Sequence, residues 1–560
     1  MRVIIIGGVA GGMSAATRLR RLDEDAEIIV FERGEYVSFA NCGLPYHVGG
    51  VIAERDALLL QTPQSLHARF TLDVRTGQEV TGIDRAAQTL TVRDVATGET
   101  STEPYDRLVL AVGADDRGRL VPVAGGPVVS TLRTVDNVDR IVAALPAGTE
   151  GARAVVAGGG FIGLEAVENL RHRGLDVTLV QRGAHPLSKL DPEMAAPLLD
   201  TLLANGVTVR TGATVTAVDA EGVVLDDGAR IACELVIDAR GVTPATGLAR
   251  DAGLRIGPTG GIHVDEYQRT SDPLIFAVGD AVEKTDALTG EPVLITMAGL
   301  ANRHGRIAAD VIAAERTGIE AEPSPPALGT AIIQVFETTA AVTGWSEQQL
   351  IAAGHPHRVI HTHPSHHATY YPGAERMSMK LLVDPGTDRI LGAQIVGGRG
   401  VDKRIDVIAT AMHAGVTASG LTRLELAYAP QFASAKDPVN MIGYAADNLA
   451  TGLTTGVQWH ELDAAVASGE TLIDVRSPDE FASGGIPGSV NIPLDDLRDR
   501  LDDLPEGPLI VHCQVGQRGH TAARLLAQAG REVRNLDGGY LTWRDGARMS
   551  GLDLNGQEQR

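Results

Sequence analysis

Two glycine-rich turns of the same kind occur in this sequence, each between an apolar strand and an amphipathic helix. The first segment, VIIIGGVAGGMSAATRLRRL, begins at Val3, and the second, AVVAGGGFIGLEAVENLRHRG, begins at Ala154. Another apolar run follows each helix: AEIIVFERG after the first and DVTLVQRG after the second. This order is typical of a parallel, doubly wound sheet that is covered by helices. The repeat therefore predicts two Rossmann-like dinucleotide-binding modules in an α/β protein.

The two turns differ in their glycines. Gly158, Gly160 and Gly163 have the full GxGxxG spacing, which lets the backbone approach a pyrophosphate at the helix N-terminus. The first turn, GGVAGG at 7–12, has valine where the middle glycine is expected. Glu32 ends the next strand, however, and is placed to bind the hydroxyls of a ribose. The matching contexts of the two turns argue against a chance match.

The second module has no acid at the position that corresponds to Glu32. Gln181 followed by Arg182 stands there instead. An acid would favour NADH by binding the free ribose hydroxyls, and its absence removes the repulsion of a 2′-phosphate. NADPH is therefore compatible with this module as well as NADH. The alternative reading of Arg182 as a solvated loop charge stays open.

Two further segments carry a family resemblance. The sequence SFANCGLPYHVGG at 38–50, together with TSDPLIFAVGDA at 270–281, resembles the single-cysteine branch of the pyridine nucleotide–disulfide oxidoreductase family. This branch contains coenzyme A disulfide reductases, NADH oxidases and peroxidases, and persulfide reductases. The resemblance covers about residues 1–450. Two-cysteine members carry a CxxxxC pair, whereas position 47 of this chain is histidine, so Cys42 has no near neighbour for an internal disulfide.

The resemblance implies FAD in the first module and NAD(P)H in the second. The positions that match the FAD site are Gly7, Gly8, Ala10, Gly11, Gly12, Glu32, Arg33, Gly113, Asp280 and Ala298, with Asp280 expected at the flavin ribityl chain. The positions that match the NAD(P)H site are Gly158, Gly160, Phe161, Ile162, Gly163, Gln181, Arg182 and Gly241.

Cys42 is the candidate nucleophile. The segment NCGLP at 41–45 reads as the start of a helix, where the dipole and the free amides stabilise a thiolate. A lone cysteine is often only a small buried hydrophobe, and that interpretation suits Cys233, whose neighbours in IACELVID are apolar. Within the family motif, we expect Cys42 to form a mixed disulfide, a persulfide or a sulfenate.

A tyrosine pair and a set of polar residues point to the coenzyme A branch. Tyr370 and Tyr428 resemble the branch's tyrosines near flavin and sulfur, although the adjacent Tyr371 competes with Tyr370. A phenol can donate a proton to a leaving thiol, and the segment around Tyr428 is expected to reach the partner's site in a homodimer. The family resemblance implies that coenzyme A, as substrate or as a tightly held carrier, binds at the matching positions Ser14, Arg18, Arg21, Ser38, Asn41 and Lys436. The alternative is that these arginines only form a solvated helix face.

The last hundred residues or so contain the segments LIDVRSPDEFASGGIPGSVNIP, VHCQVGQRGHTAARLLAQAG and LDGGYLTW, and with these they resemble a rhodanese domain. Cys513 follows an apolar strand and opens a loop that ends at Arg518, with a helix after it. The backbone amides of such a loop form an anion nest for a thiolate or persulfide. The C-x4-R length fits sulfur transfer, and Gly485 stands where many rhodaneses have histidine. We expect Cys513 and Arg518 to be catalytic.

A group of four histidines could suggest a metal site. His361, His363, His366 and His367 lie close together in the sequence, but no cysteine or carboxylate cluster joins them. We therefore predict no metal.

The expected organisation is an FAD-binding domain (1–115 and 246–325), an NAD(P)H-binding domain (150–245), an α+β dimerisation domain (328–450) and an α/β rhodanese-like domain (457–560). The net charge of -22 argues against nucleic acid and anionic membranes as partners. The sequence has no apolar run of about 20 residues that could span a membrane. With three cysteines and no signal peptide before the first strand, we expect a cytoplasmic protein.

These features predict an FAD-dependent NAD(P)H oxidoreductase. It would reduce coenzyme A disulfide, coenzyme A persulfide or polysulfide to thiol and sulfide through Cys42, while Cys513 handles sulfane sulfur. Two alternatives stay open at this point. One is an NAD(P)H oxidase or peroxidase with a Cys42 sulfenate, and the other is a sulfur carrier or redox sensor without sustained turnover.

Overall fold

The computed structural model describes residues 1–116, 118, 120–145, 148, 151–318 and 320–551. The end of the predicted rhodanese-like domain, 552–560, therefore lies outside the described residues. The chain divides into two compact units. Unit 1 comprises Met1–Val180 and Thr214–Ala327, and unit 2 comprises Gln181–Ala213 and Leu328–Arg560.

The first module of unit 1 is built on a five-stranded parallel sheet. Its strands, in spatial order, are Ile275–Ala277, Arg107–Leu110, Arg2–Ile6, Glu27–Glu32 and Asp73–Thr76. The central strand is a run of isoleucine and valine because both faces of the sheet are covered. The helices Ala10–Leu22 and Ala298–Thr317 pack against each other on one face. A Cβ at Gly305 would lie 2.1 Å from the carbonyl oxygen of Gly11, so glycine allows this close approach.

The second module of unit 1 repeats the arrangement. The strand Arg153–Ala157 pairs in parallel with Asp176–Gln181 on one side and with Leu235–Asp238 on the other, and Val128–Ser130 extends the sheet. The helix Phe161–His172 follows the glycine turn directly.

The remaining elements of unit 1 are shorter. Its other helices are Leu44–Val48, Pro63–Phe70, Val135–Ala144 and Gly247–Asp251, with 3₁₀ turns at Asn41–Gly43, Arg55–Leu58 and Gly279–Ala281. Its antiparallel strands are Gln78–Asp84, Thr89–Asp94, Thr100–Pro104, Ala114–Asp116, Val215–Val218, Gly222–Leu225, Arg230–Ala232, Val242–Pro244, Lys284–Thr285 and Pro292–Val293.

The α+β part of unit 2 is a five-stranded antiparallel sheet. Its strands, in spatial order, are Ala331–Val335, Thr338–Gly344, Ile390–Gly397, Met377–Val383 and Arg358–Thr362. The other elements that unit 2 contains before its C-terminal part are Pro192–Ala204, Thr208–Thr211, Glu347–Ala352, Val401–His413, Ser419–Arg423 and Pro438–Ala450. Asp437 begins the last of these helices by accepting the amide hydrogen of Val439, with Pro438 at the first helical position.

The C-terminal part of unit 2 is a small parallel α/β unit. Its strands, in spatial order, are Gly456–Val457, Val533–Leu536, Leu509–His512, Thr471–Asp474 and Val490–Asn491. Its helices are Trp459–Glu461, Leu462–Ala467, Pro478–Ala482, Leu501–Asp503, Gln517–Gln528 and Gly539–Met549, of which the first and fourth are 3₁₀ turns.

The predicted fold class is confirmed: two doubly wound modules, an α+β region and a C-terminal α/β unit are present. The two compact units do not follow the four predicted domains, so those boundaries stay a prediction. In the described part of the chain, no helix is both long and apolar enough to cross a membrane.

Candidate active site

The first glycine turn packs tightly against the start of the helix Ala10–Leu22 that follows it. Gly7 has φ +105°, and a Cβ at Gly12 would lie only 1.9 Å from the carbonyl oxygen of Gly7. The Glu32 carboxylate accepts the amide hydrogens of Gly8, at 2.9 Å, and Gly34, at 2.8 Å. A turn of this shape leaves room for a pyrophosphate at the start of the Ala10–Leu22 helix.

The second glycine turn has the same geometry. Gly158 has φ +107°, and a Cβ at Gly163 would lie 1.8 Å from its carbonyl oxygen. Gly160 is exposed, and no described atom lies within 4 Å of where its Cβ would be. Both turns therefore fit a dinucleotide, since a side chain at these glycines would fill the cradle.

The other sequence-predicted cofactor positions lie around these turns or on neighbouring loops. Ala10 and Gly11 open the first helix, Phe161 and Ile162 open the second, and Ala298 opens a third. Gly113 and Gly241 have positive φ, Arg33 pairs with Asp115 at 3.6 Å, Gln181 is half-buried and Arg182 is exposed.

Asp280 lies in the 3₁₀ turn that follows the strand Ile275–Ala277. Burial raises the pKa of its carboxyl group, while Lys284 and Arg133 oppose this rise. The Lys284 ammonium donates to the carbonyl oxygens of Gly279, at 2.6 Å, and Val282, at 2.9 Å. Burial lowers the pKa of Lys284 to about 8. Sequence reasoning did not identify this lysine.

Cys42 lies in the 3₁₀ turn Asn41–Gly43, directly before the helix Leu44–Val48, and is exposed. Desolvation, followed by the charges of Glu165 and Asp280, raises the pKa of its thiol, while its own backbone lowers it. The backbone at Cys42 acts in the predicted direction, but desolvation and the two carboxylates outweigh it, so the pKa of the thiol is raised. The helix that follows has only five residues.

Glu165 and Tyr46 form a pair beside Cys42 that sequence reasoning missed. A hydrogen bond joins the two side chains. Burial and then the charge of Glu168 raise the pKa of Glu165 to about 7, and burial raises the pKa of Tyr46 to about 12. The spacing gave a signal: Glu165 follows the last turn glycine by two residues, and Tyr46 lies one helical turn after Cys42.

We expect the substitution Glu165→Gln to make the Cys42 thiol more reactive. Removing the carboxylate removes one of the charges that raise the pKa of Cys42, so the pH profile of alkylation shifts to lower pH. The alkylation rates of Glu165→Gln and wild type should differ mainly above about pH 7, where Glu165 is ionised in the wild type. Iodoacetamide labelling of the Cys42 peptide, followed by mass spectrometry, measures the profile. Glu221→Gln, at an exposed position of the same unit, is the control, and coincident profiles for all three proteins would contradict the prediction.

The predicted coenzyme A residues on the first helix have identifiable partners. The Ser14 hydroxyl donates to Asn302 Oδ1 at 2.8 Å, and Arg18 pairs with Asp310 at 2.6 Å. Arg21 is exposed, whereas the neighbouring Arg20 is buried and donates to four backbone carbonyls, including Phe70 and Thr71.

A groove of about 370 Å³ lies beside Arg18. Arg303 and Arg306, which sequence reasoning did not single out, also line it. Ser38 has φ +48°, and the Asn41 amide donates to the carbonyl oxygen of Arg133 at 3.2 Å. Lys436, in unit 2, is exposed.

The tyrosine pair is formed in unit 2. The hydroxyl groups of Tyr370 and Tyr428 lie 2.8 Å apart, and both residues are exposed. Their hydrogen bond raises the pKa of Tyr370. Tyr371 instead contacts the ring of His367 edge-on, so the geometry pairs Tyr370 with Tyr428.

Cys513 is fully buried at the end of the strand Leu509–His512. Arg518 binds the Glu480 carboxylate through both terminal nitrogens, at 2.7 and 2.6 Å, and hydrogen-bonds to Cys513. The hydrogen bond to Arg518 is the main cause that lowers the pKa of Glu480 to about 2. Arg476 is buried, is held by Asp474 and donates to Gln514 in the Cys513 loop at 3.1 Å. Glu480 and Arg476 were not foreseen from the sequence.

The four histidines have protein partners. His361 contacts Asp537 and Glu193, and His363 contacts Ser378 and Thr542. His366 Nδ1 accepts the amide hydrogen of Glu375 at 3.0 Å, the backbone amide of His366 donates to the carbonyl oxygen of Glu375, and His367 hydrogen-bonds to the carbonyl oxygen of Ala368.

Two pyrophosphate-type turns, an aspartate at a strand end and an exposed cysteine in the same unit define a dinucleotide-dependent disulfide reductase. The chain belongs to the pyridine nucleotide-disulphide oxidoreductase family, which it matches over residues 1–303. The family's dimerisation domain matches residues 330–438, and a rhodanese-like domain matches residues 458–545. The resemblance stated from the sequence is thereby confirmed.

Relatives of known function agree with this placement. The coenzyme A disulfide reductase of Staphylococcus epidermidis is 33% identical over 445 residues, which are 80% of this chain and 99% of that protein. The crystal structure of reduced Bacillus anthracis CoADR-RHD is 45% identical, with a TM-score of 0.94 over 98% of each chain. A NAD-dependent persulfide reductase from A. fulgidus is 37% identical, with a TM-score of 0.89 over 97% of this chain and 100% of that one. The chain is an FAD- and NAD(P)H-dependent oxidoreductase that reduces disulfide or persulfide bonds.

Proposed function

We propose that this enzyme reduces coenzyme A disulfide, coenzyme A persulfide or polysulfide at Cys42 and handles sulfane sulfur at Cys513. The observation that carries the proposal is the exposed Cys42 beside the helix of the second dinucleotide turn, where Glu165 and Asp280 act on its charge. Of the other two cysteines, Cys233 and Cys513, both are buried. None of the three cysteines is in a disulfide, so the exposed Cys42 thiol is available to attack a disulfide of a substrate.

The cofactors fit the glycine cradles. FAD is assigned to the first turn with Glu32 and Asp280, and NAD(P)H to the second turn with Gln181 and Arg182. When bound, FAD supplies the redox centre that accepts a hydride from NAD(P)H. Overall, one disulfide, one NAD(P)H and one proton give two thiols and NAD(P)⁺.

Cys42 and the tyrosines carry the sulfur chemistry. The Cys42 thiolate attacks one sulfur of the substrate, breaks the sulfur–sulfur bond and retains half of the substrate as a mixed disulfide. The Tyr370–Tyr428 pair is suited to protonating the leaving thiolate. We assign these tyrosines to the partner's Cys42 in a homodimer, consistent with the dimerisation domain at 330–438.

Coenzyme A is the proposed ligand of the arginine-lined groove, either as substrate or as a tightly bound carrier. Ser14, Arg18 and Arg21 lie on the helix beside this groove. Ser38 and Asn41 precede Cys42 in the sequence. Lys436 is assigned to the same ligand. Guanidinium groups present paired donors to phosphate oxygens. We place the enzyme in the cytoplasm, since three unpaired cysteines suit a reducing compartment.

Cys513 is proposed to take up sulfane sulfur. Its thiolate attacks the outer sulfur of a persulfide R–S–SH or of thiosulfate, breaking the sulfur–sulfur bond, forming a Cys513 persulfide and expelling the thiolate RS⁻ or sulfite. Arg518, held by Glu480, provides positive charge beside the reacting sulfur. We retain the four-domain division 1–115 with 246–325, 150–245, 328–450 and 457–560 as part of this proposal.

The proposal is tested by anaerobic NADH and NADPH oxidation with coenzyme A disulfide, coenzyme A persulfide and polysulfide as separate acceptors. We expect sustained turnover with at least one of them. Turnover restored only by oxygen or peroxide would contradict the proposal, and so would stoichiometric labelling of Cys513 without sustained oxidation.

We expect the substitution Cys513→Ser to abolish the loading of cyanide-removable sulfur onto the enzyme from thiosulfate. A serine hydroxyl cannot form a persulfide, and Cys513 is fully buried, so the substitution changes the shape of the loop little. Cyanolysis of the desalted enzyme measures the bound sulfur. The matched control is Cys233→Ser, another buried cysteine, which should load as wild type does. Equal loading by Cys513→Ser and wild type would show that Cys513 is not the acceptor.

A further inference from the structure

The three-residue turn Asp537-Gly538-Gly539 packs against the loop that carries Cys513. Directly after it, the amide of Tyr540 donates to the carbonyl oxygen of Cys513 at 2.8 Å, and the amide of Leu541 donates to that of Gln514 at 3.1 Å. A Cβ at Gly539 would lie 2.4 Å from the carbonyl oxygen of Cys513. The position of this turn therefore sets the position of the loop backbone that surrounds the Cys513 sulfur.

His361 binds Asp537, the first residue of this turn, although His361 itself is not part of the C-terminal α/β unit. It lies on the strand Arg358–Thr362 of the antiparallel sheet. Its Nδ1 lies 2.7 Å from Asp537 Oδ2, and its backbone amide donates to the same oxygen at 2.9 Å. Both side chains are buried, so water does not compete for these hydrogen bonds.

The other nitrogen of His361 is anchored as well. Its Nε2 lies 3.2 Å from Glu193 Oε1, and Glu193 in turn binds the buried ammonium of Lys380. Burial opposes a charge on His361, but the hydrogen bonds with Asp537 and Glu193 raise its pKa to about 9. At neutral pH both ring nitrogens therefore donate to a carboxylate.

His363 contacts the helix Gly539–Met549, which begins in this turn. Its Nε2 lies 2.8 Å from the Thr542 hydroxyl, and its Nδ1 lies 3.0 Å from the Ser378 hydroxyl. A Cβ at Gly538 would lie 2.0 Å from Thr542 Oγ1 and 2.8 Å from the Cβ of His361. Two histidines of the antiparallel sheet, called the reductase sheet below, thus contact the first residue of the turn and the helix that directly follows it.

We propose that His361 and His363 are positioning residues of the Cys513 sulfur-transfer site. Through Asp537, Gly538 and Gly539, they fix the loop that carries Cys513 relative to the reductase sheet. This inference rests on the proposed role of Cys513. It gives a function to histidines whose spacing in the sequence suggested a metal. It also makes sulfur transfer dependent on a contact between the reductase sheet and the rhodanese-like unit.

The test compares His361→Ala with His361→Asn in the full-length holoenzyme. The asparagine amide can still donate to Asp537 in place of Nδ1, whereas alanine cannot. We expect His361→Ala to lower the rate of sulfur loading from thiosulfate roughly 10- to 100-fold, since small misplacements of reacting groups have effects of this size. His361→Asn should restore most of the rate. His413→Ala, at an exposed histidine of the same unit, is the matched control and should load like wild type.

Three further measurements separate a positioning role from a general loss of stability. The pH profile of Cys513 alkylation should change in His361→Ala and return towards wild type in His361→Asn. Coenzyme A disulfide reduction by the same preparation, which depends on Cys42, verifies that the reductase remains folded. Asp537→Asn replaces the carboxylate that faces His361 Nδ1 with a neutral amide, so it removes the negative charge that pairs with the imidazole, and it serves as a second variant with a loss expected in the same direction, should His361→Ala not fold.

The outcomes distinguish this inference from the proposed function. If Cys513→Ser abolishes sulfur loading while His361→Ala and Asp537→Asn load at the wild-type rate, the inference is wrong and the role of Cys513 stands. A lower melting temperature with an unchanged loading rate and alkylation profile also overturns it. If Cys513→Ser still loads sulfur, the proposed function of Cys513 fails first.

Discussion

The substitution Cys42→Ser is expected to lower kcat/KM for NAD(P)H-dependent reduction of coenzyme A disulfide by at least about 10³-fold, the scale seen when a catalytic nucleophile is removed. Serine keeps the shape of cysteine, but its hydroxyl is not ionised at neutral pH and cannot form a disulfide. Cys42 is exposed, so the exchange leaves no cavity in the core. Steady-state oxidation of NADH and NADPH under anaerobic conditions measures the effect.

The control for this prediction is Cys233→Ala. Burial, followed by the charge of Glu234, raises the pKa of Cys233 to about 11, so this thiol is neutral at physiological pH and should not react. The variant should keep near wild-type turnover. The flavin content of each preparation, read from its absorbance, shows whether a loss arises from the cysteine or from missing cofactor. Turnover by Cys42→Ser within tenfold of wild type, at equal flavin content, would exclude Cys42 as the nucleophile.

The substitution Lys380→Met should destabilise unit 2 by about 3–5 kcal/mol, the range for removing one partner of a buried ion pair. The Lys380 side chain is fully buried, and its ammonium lies 2.9 Å from Asp191 and 2.6 Å from Glu347, with Glu193 in contact as well. Three acids whose oxygens lie within 4.8 Å of one another could hold a metal ion, but here the ammonium lies among them. Methionine fills a similar volume and leaves the carboxylates without their cation.

Urea unfolding followed by tryptophan fluorescence measures this loss. The three tryptophans, at positions 345, 459 and 543, all lie in unit 2, so the signal reports on the unit that contains Lys380. The matched control is Arg500→Ala, which removes an exposed ion pair with Asp503 in the same unit and should cost about 0–1 kcal/mol. Equal unfolding midpoints for Lys380→Met and Arg500→Ala would contradict the prediction.

Much of the fold could be predicted because its signals are local. An isoleucine run before a glycine turn, followed by an amphipathic helix, encodes a strand, a turn and a helix within about 30 residues. The close approaches of Gly12 to Gly7 and of Gly163 to Gly158 follow from the same short motif. Cys42 and Cys513 could be selected because each lies within a short motif with few alternatives.

The charge environment of Cys42 could not be predicted in this way. Its helix start was visible in the sequence, but Glu165 and Asp280 come from elements more than a hundred positions away. Which carboxylates face a thiol depends on how helices pack against each other. The residues next to Cys42 in the sequence do not indicate that packing. The sign of the pKa shift was therefore decided by the tertiary structure.

The sequence by itself determined the two nucleotide turns and the family, and it selected the two candidate cysteines, since each depends on neighbours along the chain. Only the tertiary structure decided what the histidines do. His361 and Asp537 are separated by 176 positions, and Lys380 and Glu193 by 187. Pairs that are this far apart in the sequence form only when the sheet register and the packing of separate elements are fixed. Because these groups are buried, leaving either partner charged and unpaired would be strongly destabilising.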